Sequence, residues 1–115
     1  MQSVLAKLNK VSGVRGCMIV NKDGIVAASD FGVDVDENSI GAVASSILAA
    51  LEAAIKRIQV GRLKKFMVTG NENKLAIVDA GPALLLVLLQ REANMGILNV
   101  EIQEAAAAVV EKAKM

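Results

Sequence analysis

The chain has no histidine, no tryptophan and no tyrosine, and it holds one cysteine and one proline. Without histidine, activation of a nucleophile by a Ser-His or Cys-His pair is excluded, and the commonest metal ligand is missing. Two phenylalanines are the whole aromatic complement, too few to stack the bases of a single strand. Cys17 cannot form a disulfide within one chain. Set in the apolar run Cys-Met-Ile-Val, it reads as a small buried hydrophobe. Thirteen basic residues against twelve acidic ones leave a net charge of +1, so no overall field draws a polyanion and no nucleic-acid partner is expected. The longest apolar run, 83–89, falls far short of the roughly 20 residues of a membrane span. The opening residues MQSVLAKLNKVSG have an amphipathic pattern and no signal-peptide core. The expectation is a cytoplasmic protein without a membrane span, a metal or a cofactor.

What is present is apolar. At 115 residues the chain is expected to form one domain, 1–115. Its hydrophobic fraction is 54%, high for a domain that can bury only about two-thirds of its unfolded surface. Surplus apolar surface of this kind points to an oligomer or to a patch that meets a partner.

The run 36–61 (DENSIGAVASSILAALEAAIKRIQVG) organises the rest. Asp36 is a good N-cap, with Val35 and Ile40 placed as a hydrophobic staple. Glu37 suits the positive helix start, Lys56 and Arg57 suit the negative end, and Gly61 suits the stop. At about 100° per residue, Ile40, Val43, Ile47, Leu51, Ala54 and Ile58 form one stripe, widened by Ala44, Leu48 and Ile55. That stripe is expected to face the core. On the back lie Ala42, Ser45, Ser46, Ala49 and Ala53, small residues that let a second helix come close. They predict a contact with another copy across a two-fold axis; the alternative is a plain surface helix using Ala for its helix propensity.

In order along the chain, 2–11 predicts a short amphipathic helix through Val4, Leu5, Leu8 and Val11. Strands are expected at 14–21 and 25–29, joined by Asn21-Lys22-Asp23-Gly24 with Gly24 at positive φ. Residues 30–36 read as a loop. Its Asp30, Asp34 and Asp36, with Glu37, do not match a calcium loop, and helix-start chemistry accounts for Asp36 and Glu37. Strands at 62–69, 74–79 and 83–89 follow as an antiparallel meander. The apolar strands 14–21 and 83–89 belong at the sheet centre, and the basic strand 62–69 belongs at an edge. A last helix, 97–114, carries a stripe of Ile97, Val100 or Ile102, Ala105, Ala106, Val109 and Ala113. The fold class is therefore α/β (α+β), in the order α-β-β-α-β-β-β-α with helices on both faces of a five-stranded sheet.

Three segments then carry a likeness. Gly16-Cys-Met-Ile-Val-Asn-Lys-Asp-Gly-Ile-Val-Ala-Ala is similar to the first hairpin of the Roadblock (dynein light chain type seven) family. The small-residue helix ending at Gly61, followed by Leu63-Lys-Lys-Phe-Met-Val and the Gly70-Asn-Glu-Asn turn, resembles the next part of that family. Asn94-Met-Gly-Ile resembles the step that opens its last helix. The resemblance covers essentially the whole chain and is nearest to single-domain, MglB-like members.

It implies a Roadblock-type αβα sandwich and a homodimer, or pairing with a same-fold paralogue. The strand at 62–69 would pair with its copy, through Arg62, Lys64, Phe66 and Val68, and the long helices would lie side by side. It further implies a non-enzymatic regulator of a small Ras-like GTPase, since members similar to the gliding-motility protein MglB activate GTPases. Arg57, Arg62 and Lys65 are the candidate partner contacts. One of the arginines could enter the GTPase as a finger, or both could be solvated. Lys64 and Lys65 could meet an acidic partner or simply face water. The alternative function is a scaffold or assembly subunit with no effect on GTP hydrolysis.

Overall fold

The computed structural model describes residues 1–31 and 36–113. The elements are α1 (Gln2–Asn9), β1 (Val14–Asn21), β2 (Val26–Phe31), α2 (Glu37–Ile55) with a 3-10 turn at Lys56–Ile58, β3 (Lys65–Thr69), β4 (Asn73–Ala80), β5 (Ala83–Gln90) and α3 (Met95–Ala113). All strand pairs are antiparallel, in the order β2-β1-β5-β4-β3. The most apolar strands are central and the Lys65 strand is an edge, as their composition predicts. β5 must be covered on both faces, because Ala83, Leu84, Leu85, Leu86 and Val87 are all buried.

Alternation along the strands divides that burial between two cores. Cys17, Ile19, Leu85, Val87 and Leu89 pack with α1 and α3. Met18, Val20, Ile77, Leu84 and Leu86 pack with Ala44 and Leu48 of α2. From α1, Val4, Leu5 and Leu8 are buried as their spacing predicts. Burial pushes the Cys17 thiol up to about 12, with Asp30 adding to the effect. The thiol donates weakly to the Leu5 carbonyl at 3.5 Å and to Asn9 Oδ1 at 3.3 Å. It is a packing group, not a nucleophile.

Several boundaries differ from the sequence expectation. β2 runs on through Asp30 and Phe31, residues expected in a loop, because pairing with β1 continues to Gly16–Phe31. The long helix becomes a 3-10 turn after Ile55, and Gln59 takes a left-handed conformation before Gly61 does so at φ +99°. β3 begins at Lys65, so Arg62 and Lys64 lie before the edge strand and not within it. In α3 the buried line is Leu98, Ile102, Ala105, Ala106 and Val109, while Ile97 and Val100 are exposed. The staple partner Val35, the loop carboxylate Asp34 and Lys114 lie outside the described residues.

The largest correction concerns the face of α2. Gly41, Ala44 and Leu48 are its buried residues; Val43, Ile47 and Ile58, expected in the core, are exposed. The helix is thus turned so that the residues expected only to widen its stripe are the ones on the sheet. Contact with the β1–β2 hairpin accounts for this. The carbonyl of Gly24 lies only 2.8 Å from where a Cβ on Gly41 would sit, and Ser45 Oγ donates to the Lys22 carbonyl. Two glycines let hairpin and helix touch backbone to backbone.

With its 3-10 extension, α2 spans 22 residues at a mean hydropathy of 1.5, long and apolar enough to cross a bilayer by length and composition. No uninterrupted apolar run marks it, because Ser45, Ser46 and Glu52 break the pattern. Here one face lies on the sheet and another is bare, and the two together raise its apolar content.

Asp36 caps α2 as predicted. Its Oδ1 accepts from the Ser39 amide at 3.3 Å, and its Oδ2 accepts from the Ser39 hydroxyl at 2.7 Å. Those bonds favour the charged form and hold its carboxyl below the usual value of 3.8, the Ser39 side chain contributing most. A group with a depressed folded pKa stabilises the fold above its unfolded pKa, near 4, and loses that contribution as pH falls through the folded value. Replacing Asp36 by Ala should therefore lower the melting temperature at pH 7 and shrink the gap to wild type at pH 3. Asp36→Asn, which still caps, should keep most of the stability. Thermal melts of both variants at the two pH values check this.

Candidate interaction surface

The exposed apolar residues fall together. Val43 and Ile47, 56% and 36% exposed, lie on the flank of α2 that looks toward β3, where Val68 is 48% exposed. Between helix and sheet they line a cleft of about 280 Å³ with Ile40, Leu75 and Ile77, and Ser39 is its sole polar residue. Periodicity explains the juxtaposition. Residues 40, 43 and 47 share one helix flank, and on β3 the alternate residues Phe66 and Val68 point to the α2 side. Phe66 is half-buried against the α2-side core.

Beside this cleft runs an open strand edge. Among the described residues β3 pairs with β4 alone, in the register Lys65–Val78 to Thr69–Lys74. Among its five residues, KFMVT, only Lys65 is charged. An edge with so little charge to deter it is a template for another strand. Cleft and edge make one continuous surface of aliphatic side chains and unpaired backbone groups. Such a surface has the chemistry of a protein–protein interface.

The small residues singled out from the sequence lie elsewhere on the helix. Ala42, Ser46, Ala49 and Ala53 are exposed, and Ser45 is half-buried. Of these, Ala42 and Ser45 sit against the hairpin at Gly24, so they meet the chain's own β1–β2 turn. Val43 and Ile47, which the stripe placed in the core, are the ones that line the cleft with Leu75. A signal existed in the stripe itself, whose nine apolar positions are too many for one face to bury.

The basic residues lie at the far end of α2. Arg62 reaches Asp79 at 3.5 Å, and Lys22 holds the other oxygen of the same carboxylate at 2.8 Å. The Lys64 carbonyl accepts from the Asp79 amide at 2.7 Å. Asp79 thus ties the α2–β3 connection to the sheet, although each pair is partly in water and contributes little by itself. Arg57 and Lys65 are exposed and have no ion pair among the described residues.

Comparison with known proteins places this geometry. The chain is 39% identical to the uncharacterized protein MJ0310 of Methanocaldococcus jannaschii over 103 residues, 90% of each chain. Its fold matches the crystal structure of a Roadblock/LC7 domain from Streptomyces avermitilis with a TM-score of 0.91 at 23% identity, over 100% of this chain and 98% of that one. Myxococcus xanthus MglB matches with a TM-score of 0.91 at 18% identity, over 97% and 93% of the two chains. Those identities speak for the fold alone. The family model of the Roadblock/LC7 domain covers residues 1–90, which reaches from α1 through the whole sheet. The chain belongs to the Roadblock/LC7 family.

Proposed function

We infer that this protein is a cytoplasmic, non-enzymatic regulator of a small Ras-like GTPase and works as a dimer of itself or with a same-fold paralogue. The observation that carries the reading is the bare apolar surface formed by the α2 flank and the free β3 edge. A second copy placed on β3 continues the sheet and brings its own α2 over Val43 and Ile47, so one association covers both. The face of the dimer helix that we assign is therefore Val43 and Ile47, with Phe66 and Val68 on the strand. Ala42, Ser46, Ala49 and Ala53 remain on the outer side of the paired helices.

Family membership supports the GTPase reading, and the composition agrees with it. A chain without histidine, with its only thiol buried and inert, acts best by shape. Binding to the switch loops of a GTPase would order the partner's own residues around the phosphate. This mechanism requires no group from the regulator. Arg62 is held by Asp79, and Arg57 stands on an exposed turn, so neither is preorganised as a finger.

The test begins with the protein as bait in a lysate of its source cells, with GDP and then with a non-hydrolysable GTP analogue. Retention of a small GTPase in one state only supports a regulator; recovery of the same larger proteins in both states supports a scaffold. GTP turnover by the recovered GTPase is then measured with Arg57→Ala and Arg62→Ala. Both variants should stimulate as wild type does. A loss approaching the roughly 10³-fold typical of a finger would assign that part to the arginine.

A further inference from the structure

We propose that residues 56–65 form a tip that docks this protein onto a bilayer containing anionic lipid. The segment reads Lys-Arg-Ile-Gln-Val-Gly-Arg-Leu-Lys-Lys. Five of the chain's 13 basic residues lie in it, with no acidic residue among them, so a nearly neutral protein is strongly cationic at this one place. Every residue of the segment except Leu63 is exposed. Its charge is not consumed internally, because only Arg62 makes an ion pair and Lys56, Arg57, Lys64 and Lys65 make none among the described residues.

At the apex stand Ile58 and Val60, 69% and 64% exposed, the two most exposed large aliphatic residues among those described. The 3-10 turn followed by left-handed Gln59 and Gly61 reverses the chain there. The aliphatics are held outward between cations on either side.

Aliphatic side chains ringed by lysine and arginine match the boundary of an anionic membrane. The cations meet headgroup phosphates and carboxylates, and the aliphatics enter the edge of the acyl layer. An acidic peptide fits less well. The groove beside the tip, lined by Ile55, Lys56, Arg62 and Leu63, is also walled by Glu52, which would repel its carboxylates. Nucleic acid finds no aromatic residue to stack on within the segment. The proposal does not depend on the dimer or on a GTPase.

Flotation of the full chain with vesicles tests it, using phosphatidylcholine alone and phosphatidylcholine with phosphatidylserine at roughly 7:3. Binding is expected to the mixed vesicles only, and to fall when salt is raised to about 0.5 M, where charges are screened within a few ångströms. The double variant Lys56→Gln, Arg57→Gln should partition about 25-fold more weakly, near fivefold for each charge removed. Ile58→Ser with Val60→Ser should also bind more weakly, at unchanged salt dependence. All four side chains are exposed, and circular dichroism checks that the variants fold. Failure to float with the anionic vesicles at low salt would overturn the proposal. So would undiminished binding by both variants, or retention on poly-aspartate or duplex DNA without binding to vesicles.

Discussion

Ile47→Asp should convert the proposed dimer into a monomer, weakening self-association by at least about a hundredfold, which is about 2.7 kcal/mol. Ile47 lines the cleft between α2 and β3 with Val43, Val68 and Leu75. In the free protomer it already touches water, so a carboxylate there leaves the fold intact. In the dimer the same carboxylate would be enclosed by apolar side chains and the partner helix with no cation to answer it, and an unpaired buried charge is costly. Light scattering at micromolar concentration reads the outcome directly. Ala49→Arg is the companion variant, because it places charge on the flank that the small-residue pattern selects. A monomeric I47D with a dimeric A49R assigns the interface to the cleft side. The reverse pattern would assign it to the small residues, and a wild-type monomer would refute the dimer.

Gly41→Leu should destabilise the protein by about 3 kcal/mol, the upper part of the usual range for overpacking. Even the Cβ would lie 2.8 Å from the Gly24 carbonyl oxygen and 3.2 Å from Val20 Cγ1. Neither neighbour can retreat easily. Gly24 closes the turn by donating its amide to the Asn21 carbonyl at 2.8 Å, and Val20 is fully buried. A larger side chain must push the helix off the hairpin or bend the turn. Gly41→Ala should cost less, because a single methyl intrudes on the hairpin far less than an isobutyl group. The helix propensity of about 1 kcal/mol that either residue regains over glycine offsets more of that smaller clash. Urea unfolding of the two variants would show the order wild type, Ala, Leu in decreasing midpoint. A leucine variant as stable as wild type would mean that the hairpin contact does not set the position of α2. Since that contact also sets which flank of α2 stays bare, Gly41→Leu should weaken dimerisation as well.

The two predictions rest on one feature that the sequence hid. Nine apolar positions along 40–58 were legible, and so was the excess that implied a partner. Which of them faced inward was not. Helical periodicity gives the angular width of an apolar stripe, and a stripe wider than one contact leaves its centre undetermined. The contact that resolved it joins Gly24 to Gly41, 17 positions apart, and neither residue carries a side chain from which the pairing could be read. α3 repeats the lesson, since Ile97 and Val100 belong to its apolar pattern and stand in solvent, while Leu98 is buried.

Local chemistry was enough for other features. Asp36 and Ser39 begin α2, Asn21 to Gly24 turn the first hairpin, and the continuous apolar run of β5 requires cover on both faces. Each of these depends on neighbouring residues or on burial alone, so the sequence by itself determined the element order, the central strands and the lysine-bearing edge. The tertiary structure decided the rest. It turned α2 about its axis, began β3 only at Lys65 and so left Arg62 and Lys64 outside the strand, and gathered Arg62 and Lys22 on Asp79. It also left Val43, Ile47 and Val68 bare beside an open strand edge. Those outcomes arise from steric fit between segments distant in the chain, where a close backbone approach at two glycines outweighs the burial of a few aliphatic side chains that a partner can cover instead.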